Sequence, residues 1–374
     1  FGLDGFATGS EVIVGAMSEA VPVIASTSAV IMGGGFLVNI LLARFTPLKY
    51  IFLTGHMMWI SSVVVAYSLY TAGLSNAMIM LIGIPLQGAF LTLIPAISQP
   101  FVRTVTGSDD FAIGHLTTLG TVSAGLIGGL LGNKEKSAEE LKLPKKLAFF
   151  KDTSMSISIV MVLFYLIVVL LAGPAEVAAY AGETNYIIYG LLKGLGVTAG
   201  ILVLLQGVRM LLGELVPAFK GISDKLVPNA KPALDVPVLF AYAPNSLMLG
   251  FIFAVIGMLV GMLASSVAFG VVPLVSIIGA FFTGGVSGIF GNARGGRRGA
   301  MIAGLVYGFE LIFLSGFTYM LFGHFAAVGA EGTGHDCIDA MLLMLGMRNV
   351  WIGIILIVAA FILLCVLQSR KKKA

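Results

Sequence analysis

Charge is what this chain has least of. Of its 374 residues, 22 are lysine or arginine and 18 aspartate or glutamate, 11% in all, against 58% hydrophobic. A water-soluble domain carries about a quarter charged residues to cover its surface, so that class is excluded. Cysteine is scarce too: Cys337 and Cys365 are too few for a disulfide framework and have no metal-site spacing. The apolar runs lack the polar/apolar alternation of a membrane β-barrel. The glycine runs at 128–129 and 284–296 sit in no strand–turn–helix context, which excludes a nucleotide-binding loop. The chain opens on Phe1 with neither an initiator Met nor a signal peptide, and an N-terminal portion is expected to precede it.

What is present is hydrophobic length. Mean hydropathy is +1.02, and windows of roughly 20 apolar residues follow one another, the pattern of a polytopic helical membrane protein. About nine spans are expected, over 24–43, 51–72, 77–101, 156–172, 187–212, 247–267, 272–291, 299–322 and 350–368. The fold class is therefore all-α, with 48 glycines and 13 prolines suited to close packing and broken helices in lipid.

Lysine and arginine cluster at 134–151, 220–231, 294–298 and 370–373, whereas 173–186, 268–271 and 323–347 hold none. The positive-inside rule makes the clusters and the C-terminus cytoplasmic; the net charge of +4 reflects them and not a nucleic-acid surface. Arg44, Lys49 and Arg103 should then be cytoplasmic as well, which holds only if 108–132 enters the membrane and returns to the side it left. That stretch, SDDFAIGHLTTLGTVSAGLIGGLLG, is read as a re-entrant hairpin, and 133–153 as an amphipathic cytoplasmic loop. Residues 235–246, broken by Pro237 and Pro244, form a second broken hairpin element. Two such elements in separate halves of a chain point to a transporter's binding site.

Ionisable residues inside spans are the functional candidates. His56 lies in LTGHMMW and His115 in DDFAIGH; either holds a ligand hydroxyl or pairs within the protein. Asp235 either accepts from substrate or caps a helix. Glu310 is expected to pair with a buried base such as Arg209. His324, His335, Asp336, Cys337 and Asp339 share an extracytoplasmic loop whose spacing fits no established zinc site, so no metal and no cofactor is expected.

Six phrases carry a resemblance: IFLTGHMM at 51–58, DDFAIGH at 109–115, GNKEKSAEELKLPKKLAFFKD at 132–152, QGVRMLLGEL at 206–215, AFKGISDKLVPNA at 218–230 and APNSLMLGF at 243–251. Together the chain resembles the L-ascorbate-type IIC membrane component of the bacterial phosphoenolpyruvate-dependent sugar phosphotransferase system. The resemblance covers nearly all of residues 1–374, as a single IIC transmembrane domain. It implies a homodimer in the inner membrane, with a core domain carrying two hairpins and a V-shaped domain supporting it. Sugar bound in the core is moved inward and phosphorylated by a cytoplasmic IIB partner, itself charged through IIA. The IIC subunit does no covalent chemistry, consistent with a sequence that offers no activated nucleophile.

The resemblance assigns substrate binding to His56, His115 and Asp235. Where that family places glutamines beside the two histidines, Ile60 and Leu116 stand here. An unmet hydrogen-bond partner costs about 1–3 kcal/mol, so the expected substrate widens to L-ascorbate or a related sugar or polyol. Ser10 and Glu11 are further binding candidates. The competing function is an ion-coupled secondary transporter or facilitator of a small polar solute, with Glu310 and the histidines as proton sites.

Overall fold

The computed structural model describes residues 20–141, 153–273, 275–323 and 337–371. Expectations for Ser10, Glu11, His324, His335, Asp336 and the loop over 142–152 fall outside these residues. The chain divides into two compact units, one of residues 1–3 and 140–215, the other of residues 4–139 and 216–374.

The elements in chain order are α1 (Ala20–Phe45), β1 (Tyr50–Phe52), α2 (Gly55–Thr71), α3 (Asn76–Thr106), β2 (Ala112–Ile113), α4 (Thr118–Leu131), α5 (Thr153–Ala181) and α6 (Tyr186–Leu226). Then follow β3 (Lys231–Leu234), a 3-10 turn (Val236–Leu239), α7 (Pro244–Phe269), α8 (Gly285–Phe322), α9 (Ile338–Gly346) and α10 (Val350–Lys371). Among the described residues, seven helices are long and apolar enough to cross a membrane. Large apolar side chains such as Leu171 (71% exposed) and Val267 (91%) lie bare on their surfaces, a placement that lipid tolerates and water does not.

Two features account for the difference from the nine expected spans. Helix α2 has 17 residues, short for a crossing. The continuous 46-residue stretch Ile277–Phe322 holds two of the expected spans, because α8 folds back on itself at Gly295 (φ −130°, ψ 15°) and Gly296 (φ 60°, ψ −161°). Gly291 lies against Gly299, and Ser287 Oγ donates to the Ala303 carbonyl at 3.3 Å, so the arms run antiparallel. The turn is held from outside: Asn133 N donates to Gly295 O at 2.8 Å and Arg297 N to Lys136 O at 2.7 Å. A β-carbon on Gly296 would strike the carbonyls of Asn133 and Lys136 in a backbone region only glycine enters freely. Gly296→Ala should cost at least about 2 kcal/mol, read as a lower melting temperature of the solubilised protein; an unchanged melt would refute the tight turn.

Both arms pack through small residues, the usual means of close helix approach in lipid. Gly250 of α7 meets Gly284, Gly288 and Gly304, and Gly128 of α4 meets Gly299 and Ala303. The chain leaves α3 at Gly107, passes through β2 to His115 and comes back along α4. Gly129 and Leu130 near the end of α4 share a hollow of about 590 Å³ with Thr104 near the end of α3, together with Lys134 and Arg294.

The all-α expectation missed one component: a small sheet of three parallel strands in the order β1-β3-β2. Tyr50 to Phe52 pair with Lys231 to Ala233, and Ala112 and Ile113 with Ala233 and Leu234. Sheet edges in a low-dielectric setting need every backbone group satisfied, and two side-chain amides do this. On the β1 edge, Asn39 of α1 donates to Tyr50 O (3.0 Å) and accepts from Phe52 N (2.9 Å). On the β2 side, Gln99 of α3 donates to Phe111 O at 3.1 Å.

In the other unit α5 kinks at Gly173 (φ 81°), with Pro174 opening a further helical stretch to Ala181. The expected 173–186 loop is therefore helical over most of its length, since proline suits the first turn of a helix. Helix α6 returns alongside, with Gly190 against Val169 and Gly194 against Val162.

Candidate functional site

Each strand ends in a short loop that delivers one polar residue. β1 leads through Leu53, Thr54 and Gly55 to His56, β2 through Gly114 to His115, and β3 directly to Asp235. Because the strands are parallel and in register, all three residues emerge at the same, C-terminal end of the sheet. Gly114 permits this: a β-carbon there would press on the Ala233 carbonyl at 2.9 Å, so the strands could not lie as close.

Asp235 stands between the histidines. Its Oδ2 lies 3.8 Å from His56 Nε2 and its Oδ1 3.8 Å from His115 Nε2. The rings lie 6.4 Å apart, centroid to centroid, at 76° to each other. His56 is 59% exposed and Asp235 37%, whereas His115 is 2% exposed, so the site opens to the surface on the His56 side. The capping reading of Asp235 is met: Oδ1 accepts from Val236 N at 2.7 Å at the start of the 3-10 turn, which orients the carboxylate.

At 3.8 Å the carboxylate–imidazole contacts are too long for direct hydrogen bonds. The three groups instead surround a space in which an interposed atom can be held by all of them. Thr54 Oγ1, two residues before His56, is buried without a hydrogen-bond partner among the described residues. Leu116 is fully buried, and with Ile60 at its margin it belongs to an apolar cluster containing Met57, Met58, Ala340 and Met344. The structure thus brings His56, His115 and Asp235 together and places Leu116 and Ile60 in the hydrophobic packing behind them.

Asp339 is placed differently from the polar loop in which it was grouped. It is wholly buried, and its carboxylate accepts from Thr118 N at 2.9 Å and Leu119 N at 2.8 Å. It thereby satisfies the first amides of α4 and sits at the positive end of that helix. Its own amide donates to Leu116 O at 2.9 Å, tying α9 to the residue after His115. No sequence signal marks this cap, because 221 residues separate the partners. Glu139 plays the same part for α7, accepting from Asn245 N (3.1 Å), Ser246 N (2.8 Å) and Ser246 Oγ (2.5 Å).

Glu310 corrects another expectation. Its carboxylate accepts from Ser123 Oγ of α4 at 3.1 Å, while Arg209, the base named for it, is exposed rather than buried.

An ion cluster occupies the opposite end of the sheet. Asp109, just before β2, pairs with Lys231 at the start of β3, with Arg103 Nη2 at 3.0 Å and with Gln99 Nε2 at 2.6 Å. Burial opposes the charge on Asp109, but the hydrogen bonds from Lys231, Gln99 and Arg103 outweigh it and hold the carboxyl below its ordinary value. A depressed carboxyl contributes stability that is complete above its unfolded-state value and is lost as pH falls through the lower folded one. With Asp109 43% exposed, the contribution is at most about 1 kcal/mol. Asp109→Asn should lower the melting temperature at pH 7, with the difference closing in strong acid; identical melts at pH 7 would argue against the cluster.

Comparison with known proteins bears on this site. The family model of the PTS system sugar-specific permease component, EIIC-GAT, matches residues 1–336. The chain belongs to that family. Its members are membrane permease components and not the catalysts of phosphoryl transfer. A relative, the ascorbate-specific PTS system EIIC component of Mycoplasma pneumoniae, is 28% identical over 333 residues, covering 75% of this chain and 49% of that protein. The chain thus spans about half the length of the curated relative it matches. The long apolar helices make this EIIC-GAT member a multi-pass membrane protein.

Proposed function

We propose that this chain is the substrate-translocating IIC component of a sugar phosphotransferase system. It carries L-ascorbate or a related sugar or polyol inward for phosphorylation by a cytoplasmic IIB partner, itself charged through IIA. The observation that carries the reading is the convergence of His56, His115 and Asp235 at one end of three parallel strands. Imidazole offers a donor or an acceptor and carboxylate accepts only, so the set suits hydroxyls that both give and receive hydrogen bonds. Family membership and the 28% identical ascorbate-specific relative support the substrate class.

In this reading 108–132 and 235–246 are the two hairpins of a core domain, and a V-shaped domain supports that core. The chain works as a homodimer in the bacterial inner membrane with the C-terminus cytoplasmic. The shared hollow between the end of α3 and the end of α4 supports a stretch that returns to the side it left. The basic residues of 134–151 and 294–298 support the same side as cytoplasmic.

Uptake into vesicles loaded with IIA, IIB and phosphoenolpyruvate tests the function. Sugar should accumulate as its phosphate, and free sugar inside in their presence would count against the reading. The second reading, an ion-coupled transporter or facilitator, is favoured by the Glu310 carboxylate held by Ser123 between membrane helices. Uptake indifferent to a collapsed ion gradient would remove its ion-coupled form.

A further inference from the structure

We propose that His56, His115 and Asp235 form a binding site for a divalent transition-metal ion, with Zn²⁺ as the representative ligand. One ring nitrogen from each imidazole and a carboxylate oxygen lie within 4.8 Å of one another. Each imidazole faces one carboxylate oxygen at 3.8 Å. Zinc binds imidazole nitrogen and carboxylate oxygen at about 2.0–2.2 Å in a tetrahedral array, so its ligand atoms stand about 3.4 Å apart. Closing from separations that lie within 4.8 Å to that spacing takes up to about 1.4 Å, a movement open to rotation of the exposed His56 side chain.

Four further features suit a metal. The donor set of two histidines and one carboxylate leaves coordination positions open for water. The orienting shell is in place, because the Val236 amide holds Asp235 Oδ1 at 2.7 Å and leaves the carboxylate plane fixed. The scaffold is preorganised, since all three ligands leave one sheet at the same end. An entry path exists through the exposed faces of His56 and Asp235.

The inference concerns the same three side chains as the proposed sugar site, and its consequence is mutual exclusion. A metal ion drawing the triad together occupies the space in which a sugar hydroxyl would lie. Zinc should therefore block sugar binding reversibly, and a chelator should restore it.

Calorimetric titration of Zn²⁺ into the full chain in detergent at pH 7, referenced to a chelator of known affinity, tests the idea. One equivalent per chain with low-micromolar affinity is expected. Asp235→Asn should weaken it by about 10–100-fold, and His56→Ala should reduce it to the level of weak surface binding. Sugar binding by the wild type, monitored separately, should weaken in proportion to zinc occupancy. No zinc binding below about 100 µM, or tight binding that persists in both variants, overturns the inference. Should zinc bind as expected without affecting the sugar, the metal site stands and the assignment of the triad to sugar falls.

Discussion

Replacing His56 with alanine is expected to abolish the sugar-dependent thermal shift while leaving the melting temperature of the free protein almost unchanged. The side chain is 59% exposed, and its ion-pair contact is the 3.8 Å approach to Asp235. Exposed substitutions of this kind fall within about ±0.5 kcal/mol. A hydrogen bond between a ligand and a polar group of this type is worth about 1.5–3 kcal/mol where charge takes part, or roughly a 10–100-fold loss of affinity. The variant therefore separates binding from folding in a way that His115→Ala cannot, since His115 is 2% exposed and lies beside Leu116 in the core. A thermal-shift series with ascorbate, pentitols and hexitols reads the effect and compares the candidate substrates. An undiminished shift in both histidine variants would remove the triad from the binding site.

The largest stability effect is expected from Asp339→Ala. The carboxylate is fully buried and takes two backbone hydrogen bonds at the start of α4. Its removal leaves the Thr118 and Leu119 amides unsatisfied in an apolar setting and opens a small cavity beside α4. Loss of an N-cap costs about 0.5–2 kcal/mol, and buried donors left without a partner add about 1–3 kcal/mol each. A total near 3 kcal/mol is expected, seen as a markedly lower melting temperature. Asp339→Asn keeps an acceptor oxygen and should lose roughly half as much. Since α4 begins three residues after His115, the alanine variant should also weaken sugar binding without touching the triad. Equal stability of Asp339→Ala and wild type would show that α4 does not depend on this cap.

Much of the site is legible in the sequence because its polar residues stand out. His56 and His115 are ionisable groups in strongly apolar surroundings, and Asp235 lies at the mouth of a proline-broken segment. Other features are silent for definite reasons. Strands of two to four residues carry no periodicity to detect, and Pro232 in the central strand argues locally against a strand at all. Leu116 and Ile60 stand where the family resemblance expects glutamines, and the same residues fit an apolar cluster that only the folded chain assembles. The 173–186 segment reads as a loop from Gly173 and Pro174, yet the helix resumes immediately after the kink.

By itself the sequence determines that the chain lives in a membrane, since its scarcity of charge leaves no other solvent for so much apolar surface. Its basic clusters carry an expectation of which helix ends share a side, because lysine and arginine are costly to move across lipid. The tertiary structure alone decides the rest. Parallel pairing brings His56, His115 and Asp235, distant in the chain, to one end of one sheet, and the buried Asp339 and half-buried Glu139 cap α4 and α7. These are long-range contacts between single residues, stabilised by burial and backbone hydrogen bonds, and neither composition nor spacing records them.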